Sequence, residues 1–365
     1  MKRKFLSIIL LAAILLPLTG CGFLPLPTTD GGADLTVPAD GKTLTVSFLD
    51  VGQGDSIFIE LPDGKTMLID ASESEYADDI TAYIQDRGYD TLDYVVATHP
   101  HADHIGGMTA VISAFNVGEI WMPDADSTSK TYERLLEKIA EKEIPLHVAA
   151  AGKTILDSES LNISVIAPCK EEYDDLNDYS AVLSLTYGKT RFIFTGDAEA
   201  PSEEEILASG VSLSADVLKL GHHGSSSSST EDFIKAIDPT WGVISCGEGN
   251  SYGHPHAETL TRFEKLGITL LRTDLLGTIV MTSDGTTVRY GDTAIEGGAN
   301  DAPVTTAPEA AQYHWILNTS SKKIHRADCS SVSKISEGNR AESNQSVSAL
   351  IADGYSACGT CKPTD

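Results

Sequence analysis

The stretch "THPHADHIGG", residues 98–107, follows the apolar run "LDYVVA" and puts His99, His101, Asp103 and His104 within six positions. Imidazole and carboxylate groups crowded at spacings of two, two and one are donors for zinc, manganese or iron, not for calcium. The apolar run reads as a buried strand. A strand that ends at the rim of a sheet stays rigid while its following loop faces solvent. The two histidines that flank Pro100 suit one ion, and Asp103 with His104 suits a second. Pro100 also narrows the conformations open to the loop.

Four more chemical groups follow predicted strands. "MLIDA" carries Asp70, "FTGD" ends on Asp197, "GHHGS" carries His222 and His223, and "YGHPH" carries His254 and His256 ahead of a helix. Read without context, "TGD" is an ordinary turn and His256 an ordinary helix-start residue. "VGQGD", residues 51–55, supplies Gly52 and Gly54 for close backbone approach and Gln53 and Asp55 as polar groups. The run "SSSSST" after "GHHG" is either a polar loop or a set of hydroxyls for phosphate oxygens.

The elements that must hold these groups alternate. Strand-like patterns on both sides of "PDG" give a hairpin. Helices are expected over 75–87, after Gly106 and Gly107 to 114, and near 129–142. Further strands are expected at "GEIWMP", "LNISVIAP", "AVLSLTYG", "RFIFTGD", "ADVLKLG", "WGVISCG", "ITLLRTD" and "TIVMTSDG". Hairpin-linked strands interspersed with helices predict an α/β (α+β) fold of mixed sheets with helices packed outside.

Here "THPHADHIGG" resembles the HxHxDH signature of the metallo-β-lactamase fold superfamily, whose αββα sandwich holds one or two metal ions. The resemblance extends over about residues 43–290. Within that superfamily "FLDVGQGDSIFIE", "NDYSAVLSLTYGKTRFIFTGD", "DVLKLGHHGSSSSS", "NSYGHPH" and "LRTDLLGTI" resemble the soluble domain of ComEC-type DNA-uptake (competence) proteins, without their channel helices.

The resemblance implies that His99, His101, Asp103 and His104 are metal ligands and that Asp197 bridges two ions. Asp70 supports the ligand loop from behind, and one of His222 and His223 completes the second position. His254 lies near the site as a further ligand or as a general acid to the leaving oxygen. One departure stands out. Relatives usually supply another histidine after the first motif, and His147 in "IPLHVAA", the sole histidine between His104 and Asp197, precedes a predicted strand. "NDYS", with Asn177, Asp178 and Ser180, stands near the expected place instead. The first position is therefore short of nitrogen, which shifts preference from zinc towards manganese. One or two divalent ions, Zn or Mn, are the expected cofactors.

The chain termini read differently from this core. "MKRKFLSIILLAAILLPLTGC" has a basic start, a short apolar run containing Pro17, and small residues before Cys21. It reads as a cleaved signal over 1–20 rather than a spanning helix, which needs about 20 apolar residues. "LTGC" resembles the bacterial lipobox, making Cys21 the lipidated residue and the membrane a partner. Residues 21–42 read as a tether, 43–291 as the hydrolase domain and 292–311, rich in Ala, Pro, Thr and Gly, as a linker.

In the 312–365 module Cys329, Cys358 and Cys361 form an odd set that cannot all pair as disulfides. His325, separated from Cys329 by three residues, completes an HxxxC pair with 28 residues before the CxxC pair. That is a Cys3His set for one structural zinc. The module resembles the zinc-binding module of Ada-type repair proteins, with His325 at one expected cysteine. A disulfide with one thiol left over is the alternative.

Composition bounds the partners. With 365 residues, 41% hydrophobic and a mean hydropathy of -0.08, the chain is globular. Its net charge of -27 becomes -30 once the first 20 residues, with three positive and no negative charges, are removed. Such a surface weighs against tight non-specific nucleic-acid binding but not against metal-assisted action on phosphodiesters. The expected protein is a lipid-anchored, extracytoplasmic hydrolase that cuts nucleic acid, with DNA the expected substrate. The alternatives are a small-molecule lactam, lactone or ester hydrolase and a non-catalytic DNA-binding protein.

Overall fold

The turn at Pro62–Gly64 closes the expected hairpin: Ile57–Glu60 pairs antiparallel with Thr66–Ile69, and Leu44–Phe48 joins the other side of Ile57–Glu60. The computed structural model describes residues 43–297 and, further on, 315–326, 329–343, 350, 351, 354–359, 361 and 363. The expected signal, the tether, Cys21 and residues 298–311 of the linker lie outside the described residues.

Two sheets result. The nine-stranded sheet runs from Thr293–Glu296 through Thr287–Tyr290, Ile279–Ser283, Leu44–Phe48, Ile57–Glu60, Thr66–Ile69, Thr91–Val96 and Asn116–Met122 to Leu146–Val148. The seven-stranded sheet runs from Thr269–Arg272 through Trp241–Ile244, Val217–Lys219, Thr190–Phe194, Val182–Tyr187 and Leu161–Ala167 to Thr154–Asp157.

Period-two alternation decides the layers. Val46, Phe48, Ile57 and Ile59 of one sheet share a core with Ile163, Leu183, Leu185 and Phe192 of the other, so the sheets pack face to face. Phe58, Leu68 and Val95 point the other way, against Ile80, Ile84, Met108, Val111 and Ile139 of the helices outside. On the far side Val182, Ile193 and Leu218 meet Ile206, Phe233, Ile234 and Phe263. The order is helix, sheet, sheet, helix, as expected. The helices foreseen near 75–87 and 129–142 span Ala77–Asp86 and Lys130–Glu141.

The sheet reaches further than the sequence suggested. Thr293–Glu296, inside the stretch read as linker from 292, pairs antiparallel with Thr287–Tyr290. This edge strand is mostly exposed and has one apolar residue, Ile295, packed on the core, so it carries little sequence pattern.

Each sheet has a parallel half, and the candidate groups follow its strands. Thr66–Ile69, Thr91–Val96 and Asn116–Met122 run parallel, as do Thr190–Phe194, Val217–Lys219 and Trp241–Ile244. Loops after parallel strands gather at their carboxyl ends, which is where open α/β sheets place ligand sites.

The C-terminal region forms a four-stranded sheet in the order Arg340–Ser343, Trp315–Asn318, Lys323–Arg326, Ser356–Ala357. Its core is small: Trp315, Leu317, Ile324 and Leu350 in one cluster and Ile316, Cys329, Val332 and Cys358 in another.

Candidate metal centre

Thr66–Ile69 and Thr91–Val96 are neighbours, so Asp70, just past the first, meets Thr98 just past the second. Asp70 is fully buried and accepts hydrogen bonds from Thr98 N–H (2.7 Å) and Thr98 Oγ1 (2.6 Å). Its Oδ2 lies 2.7 Å from His104 Nδ1, which directs the other ring nitrogen, Nε2, into the cleft. A carboxylate behind an imidazole fixes tautomer and ring direction and raises its strength as a ligand. The loop is also tied down by "VGQGD". Asp55 N–H donates to the Asp103 carbonyl (3.1 Å), and a Cβ on Gly54 would sit 2.5 Å from that same oxygen.

From the second sheet, Asp197 stands three residues past Thr190–Phe194, with its N–H donating to Ser180 Oγ (3.0 Å). Ser180 Oγ is also 3.3 Å from His99 Nδ1, so "NDYS" links Asp197 to the first motif. After Val217–Lys219 the chain makes a 3₁₀ turn in which His222 (φ 48°) and His223 (φ 53°) are both left-handed. Left-handed non-glycine residues cost about 1–3 kcal/mol each and persist where the surroundings dictate them. Here the two rings reach the same cleft from one turn.

The distances converge on Asp197. Its Oδ1 is 3.2 Å from His104 Nε2, and its Oδ2 is 3.5, 3.8 and 3.9 Å from the Nε2 atoms of His223, His222 and His99. His223 Nε2 is 3.2 Å from Asp103 Oδ2, and His99 Nε2 is 3.0 Å from His101 Nδ1. One donor atom each from Asp103, His104, Asp197 and His223 lies within 4.8 Å of the others.

His104 and His223 are not the only backed imidazoles. Glu199 Oε1 sits 2.8 Å from His222 Nδ1, while His223 Nδ1 faces the Ser245 carbonyl (3.0 Å) and Asp55 Oδ1 (3.4 Å). Sequence reasoning foresaw Asp70 but neither Asp55 nor Glu199. The signals were there: Asp55 ends "VGQGD", and Glu199 is two residues past Asp197.

The donor set fits a metal. Asp197 Oδ1 and His104 Nε2 are buried and lie 3.2 Å apart, yet neither makes a hydrogen bond. Burial works against every charge here, and for Asp197 and His104 the neighbours outweigh it. For Asp197 burial pushes the pKa up, but His104 and His223 beside it hold it well below the carboxylate range. For His104 burial pushes down, but Asp197, Asp70 and Asp103 carry it well above the imidazole range. His99, buried and beside His104, falls well below it. Carboxylates and imidazoles that share protons this closely exchange them for a divalent ion.

The cleft measures about 330 Å³. His101, Asp103, Asp197, His222, His223 and His254 line it, joined by Gln53, Glu73, Ala102, Asn177 and Tyr252. His254 lies with its ring centroid 5.4 Å from that of His222, held by Asn250, which both accepts from its N–H and donates to its carbonyl. Its Nδ1 is buried without a hydrogen bond. Burial, with His222 and His223 nearby, lowers its imidazole to about 4.

Two other histidines do not line the cleft, although the His256 ring lies 4.7 Å from that of His254. His256 precedes the helix Ala257–Leu266 and accepts from Ser226 N–H (2.9 Å), while His147 stacks on Trp121 and faces Glu119. In the serine run, Ser227 Oγ donates to Glu199 and Ser228 Oγ to the Ala198 carbonyl, so these hydroxyls build the loop.

In the C-terminal module one donor atom each from His325, Cys329, Cys358 and Cys361 falls within 4.8 Å of the rest. His325 sits on Lys323–Arg326 with a buried Nδ1 that has no hydrogen bond, and Cys358 N–H donates to the Ile324 carbonyl (3.0 Å). Three thiols and an imidazole at this separation fit a tetrahedral ion.

Two parallel half-sheets facing each other, with carboxylates and imidazoles at their carboxyl ends, define a metal-dependent hydrolase. Residues 49–248 match the model of the metallo-beta-lactamase superfamily, and the chain belongs to that superfamily, whose fold holds one or two divalent metals. Among curated proteins it is 30% identical over 251 residues to "ComE operon protein 3" of Bacillus subtilis (strain 168), covering 64% of this chain and 32% of that one. It is 28% identical over 244 residues to "Competence protein ComA" of Neisseria gonorrhoeae, covering 67% and 32%. "Recombination protein 2" of Haemophilus influenzae is 28% identical over 228 residues, covering 61% and 27%. The chain thus spans about a third of the length of these relatives.

Proposed function

We propose that the chain is a phosphodiesterase acting on nucleic acid, DNA first, at a centre in which Asp197 serves two ions. Asp103, His104, His223 and Asp197 hold one. His99, His101 and Asp197 hold the other, with His222 supplying the nitrogen that the first motif lacks. The observation that carries this reading is Asp197, whose Oδ1 faces His104 and whose Oδ2 faces His99, His222 and His223. Divalent ions at such a centre provide an acidified water and positive charge against a phosphoryl group.

The chain's own residues do the rest. Asp70 backs the His104 ring, Glu199 the His222 ring, and the Ser245 carbonyl with Asp55 beside it the His223 ring, while neutral His254 stands at the cleft wall to offer its N–H to the leaving oxygen. The lining supports a polar substrate. Apart from Ala102 and Tyr252 it consists of acids, amides and imidazoles, where a lactone or lactam pocket would be mostly apolar. It contains no Lys or Arg among the described residues, so the phosphate charge has to be met by the ions themselves. The names of two relatives, a competence protein and a recombination protein, agree with a DNA substrate. Cys21, the last residue of "LTGC", is the proposed lipid anchor to the outer face of a bacterial membrane, and Cys3His in the tail the proposed structural zinc site. Among the described residues no helix is long and apolar enough to cross a membrane.

Metal analysis of the purified chain, paired with hydrolysis of single- and double-stranded DNA, RNA and bis(p-nitrophenyl) phosphate, tests the proposal. Mn²⁺- or Zn²⁺-dependent cleavage of DNA is expected. Opening of a lactone or lactam with no phosphodiester cleaved would replace it with small-molecule hydrolysis.

A further inference from the structure

Lys219 is the last residue of Val217–Lys219, has no exposed surface, and is followed three residues later by the histidine pair. Its Nζ donates to Asp55 Oδ2 (2.8 Å) and to the Leu220 carbonyl (2.9 Å). Asp55 is equally buried and comes from the other sheet, out of the loop between Leu44–Phe48 and Ile57–Glu60. Its second oxygen, buried without a hydrogen bond, lies 3.4 Å from His223 Nδ1 beside the Ser245 carbonyl that this nitrogen meets at 3.0 Å, and its N–H holds the Asp103 carbonyl. Asp55 therefore touches both sides of one metal position: Asp103, carried by the nine-stranded sheet, and His223, carried by the seven-stranded one.

A fully buried ion pair is a poor device for stability, because desolvation offsets most of the attraction and apolar residues of the same volume do as well or better. Val217 and Leu218, the two residues before Lys219, are apolar and buried, so a methionine would suit the strand. What a methionine cannot do is hold the Asp55 carboxylate in place between His223 and the Asp103 main chain.

We propose that the Lys219–Asp55 pair is a positioning unit for metal binding. Lys219 anchors Asp55, and Asp55 aligns His223 with Asp103 so that both donors meet one ion. The inference rests on the metal centre proposed above. Neither residue touches the reacting atoms; both act through His223 and the Asp103 main chain.

Asp55→Asn and the double variant Asp55→Asn/Lys219→Met test it in the full-length chain. The double variant removes both charges, so no ion is left buried without a partner. Co²⁺ and Mn²⁺ affinities are measured by chelator competition, with Co²⁺ d–d absorption as a second reading of ligand geometry. Apo-protein melting is followed alongside. The expected result is one ion bound 10- to 100-fold more weakly in both variants, an altered Co²⁺ spectrum, and a double-variant apo melting temperature equal to or above that of the wild type. Wild-type affinity and spectrum in the double variant would overturn the inference, as would a double variant whose apo form does not fold, since the pair would then be a folding element. A wild type that binds no divalent ion in the cleft would instead sink the metal centre itself.

Discussion

Asp197 approaches four imidazoles through its two oxygens, and that geometry separates its loss from the loss of any other ligand. Asp197→Ala is expected to lose both ions of the cleft, whereas Asp103→Ala should lose one, as counted by metal analysis. Both should abolish hydrolysis, because without an ion the nucleophile is bulk water of pKa about 15.7 rather than about 7. Added Mn²⁺ should restore the chelated wild type but not Asp197→Ala. His254→Ala should be milder, a fall in kcat of about 10²- to 10⁴-fold with metal content unchanged. A fall in metal content would make His254 a ligand instead.

Among the elements, the loop "VGQGD" fixes the height of the ligand loop above the strand ends. A Cβ on Gly54 would lie 2.4 Å from Ser72 Oγ and 2.5 Å from the Asp103 carbonyl. The serine side chain can turn away, but the carbonyl belongs to the peptide that carries a ligand. Gly54→Ala is therefore expected to weaken metal binding while the sheets stay folded, with circular dichroism near wild type and chelator competition showing the loss. Unchanged affinity would mean that the loop yields without moving Asp103. The turn Gly221–Gly224 works on the same principle. Two left-handed residues in succession throw adjacent rings into one cleft, an arrangement that a regular helix or strand cannot give.

In the whole molecule the two candidate metal stations differ in chemistry, and so should their responses. Oxygen and nitrogen donors line the cleft, while three thiols and an imidazole gather at the C-terminal station, where softer ligands would favour zinc. The C-terminal sheet has a small core, so its folding is expected to depend on the ion. In the full chain Cys358→Ser should remove one zinc and make the residues from 315 onward sensitive to protease while leaving hydrolysis of a small phosphodiester near wild type. Asp197→Ala should do the reverse, keeping that zinc. Retention of the ion by Cys358→Ser would refute the Cys3His assignment. At the other end, Cys21→Ala is expected to move the protein from the membrane pellet to the soluble fraction or to block its processing. A variant that stays in the pellet with normal processing would refute the anchor.

The sequence by itself determined mixed sheets with helices packed outside, because period-two strands and amphipathic helices reveal which faces are buried, while the two-sheet sandwich was implied by the resemblance that "THPHADHIGG" carries. It also showed the candidate donor types, because "HPHADH", "TGD" and "GHHG" each follow a strand within a few residues. Even the tail cluster was legible, from an odd count of cysteines and a nearby histidine. The edge strand Thr293–Glu296 was not, since an exposed strand with one apolar residue carries little pattern. Tertiary structure alone decided how the ligands combine. His223 meets Asp103 across 120 positions of chain, and Asp55 meets Lys219 across two sheets. Whether His222 or His223 joined the site was open in the sequence, because adjacent residues in an extended chain point oppositely. A left-handed turn, set by the packing around it, brought both rings into the cleft. Local pattern names the donors, but only the long-range contacts that close the two sheets on each other can fix which donors share an ion.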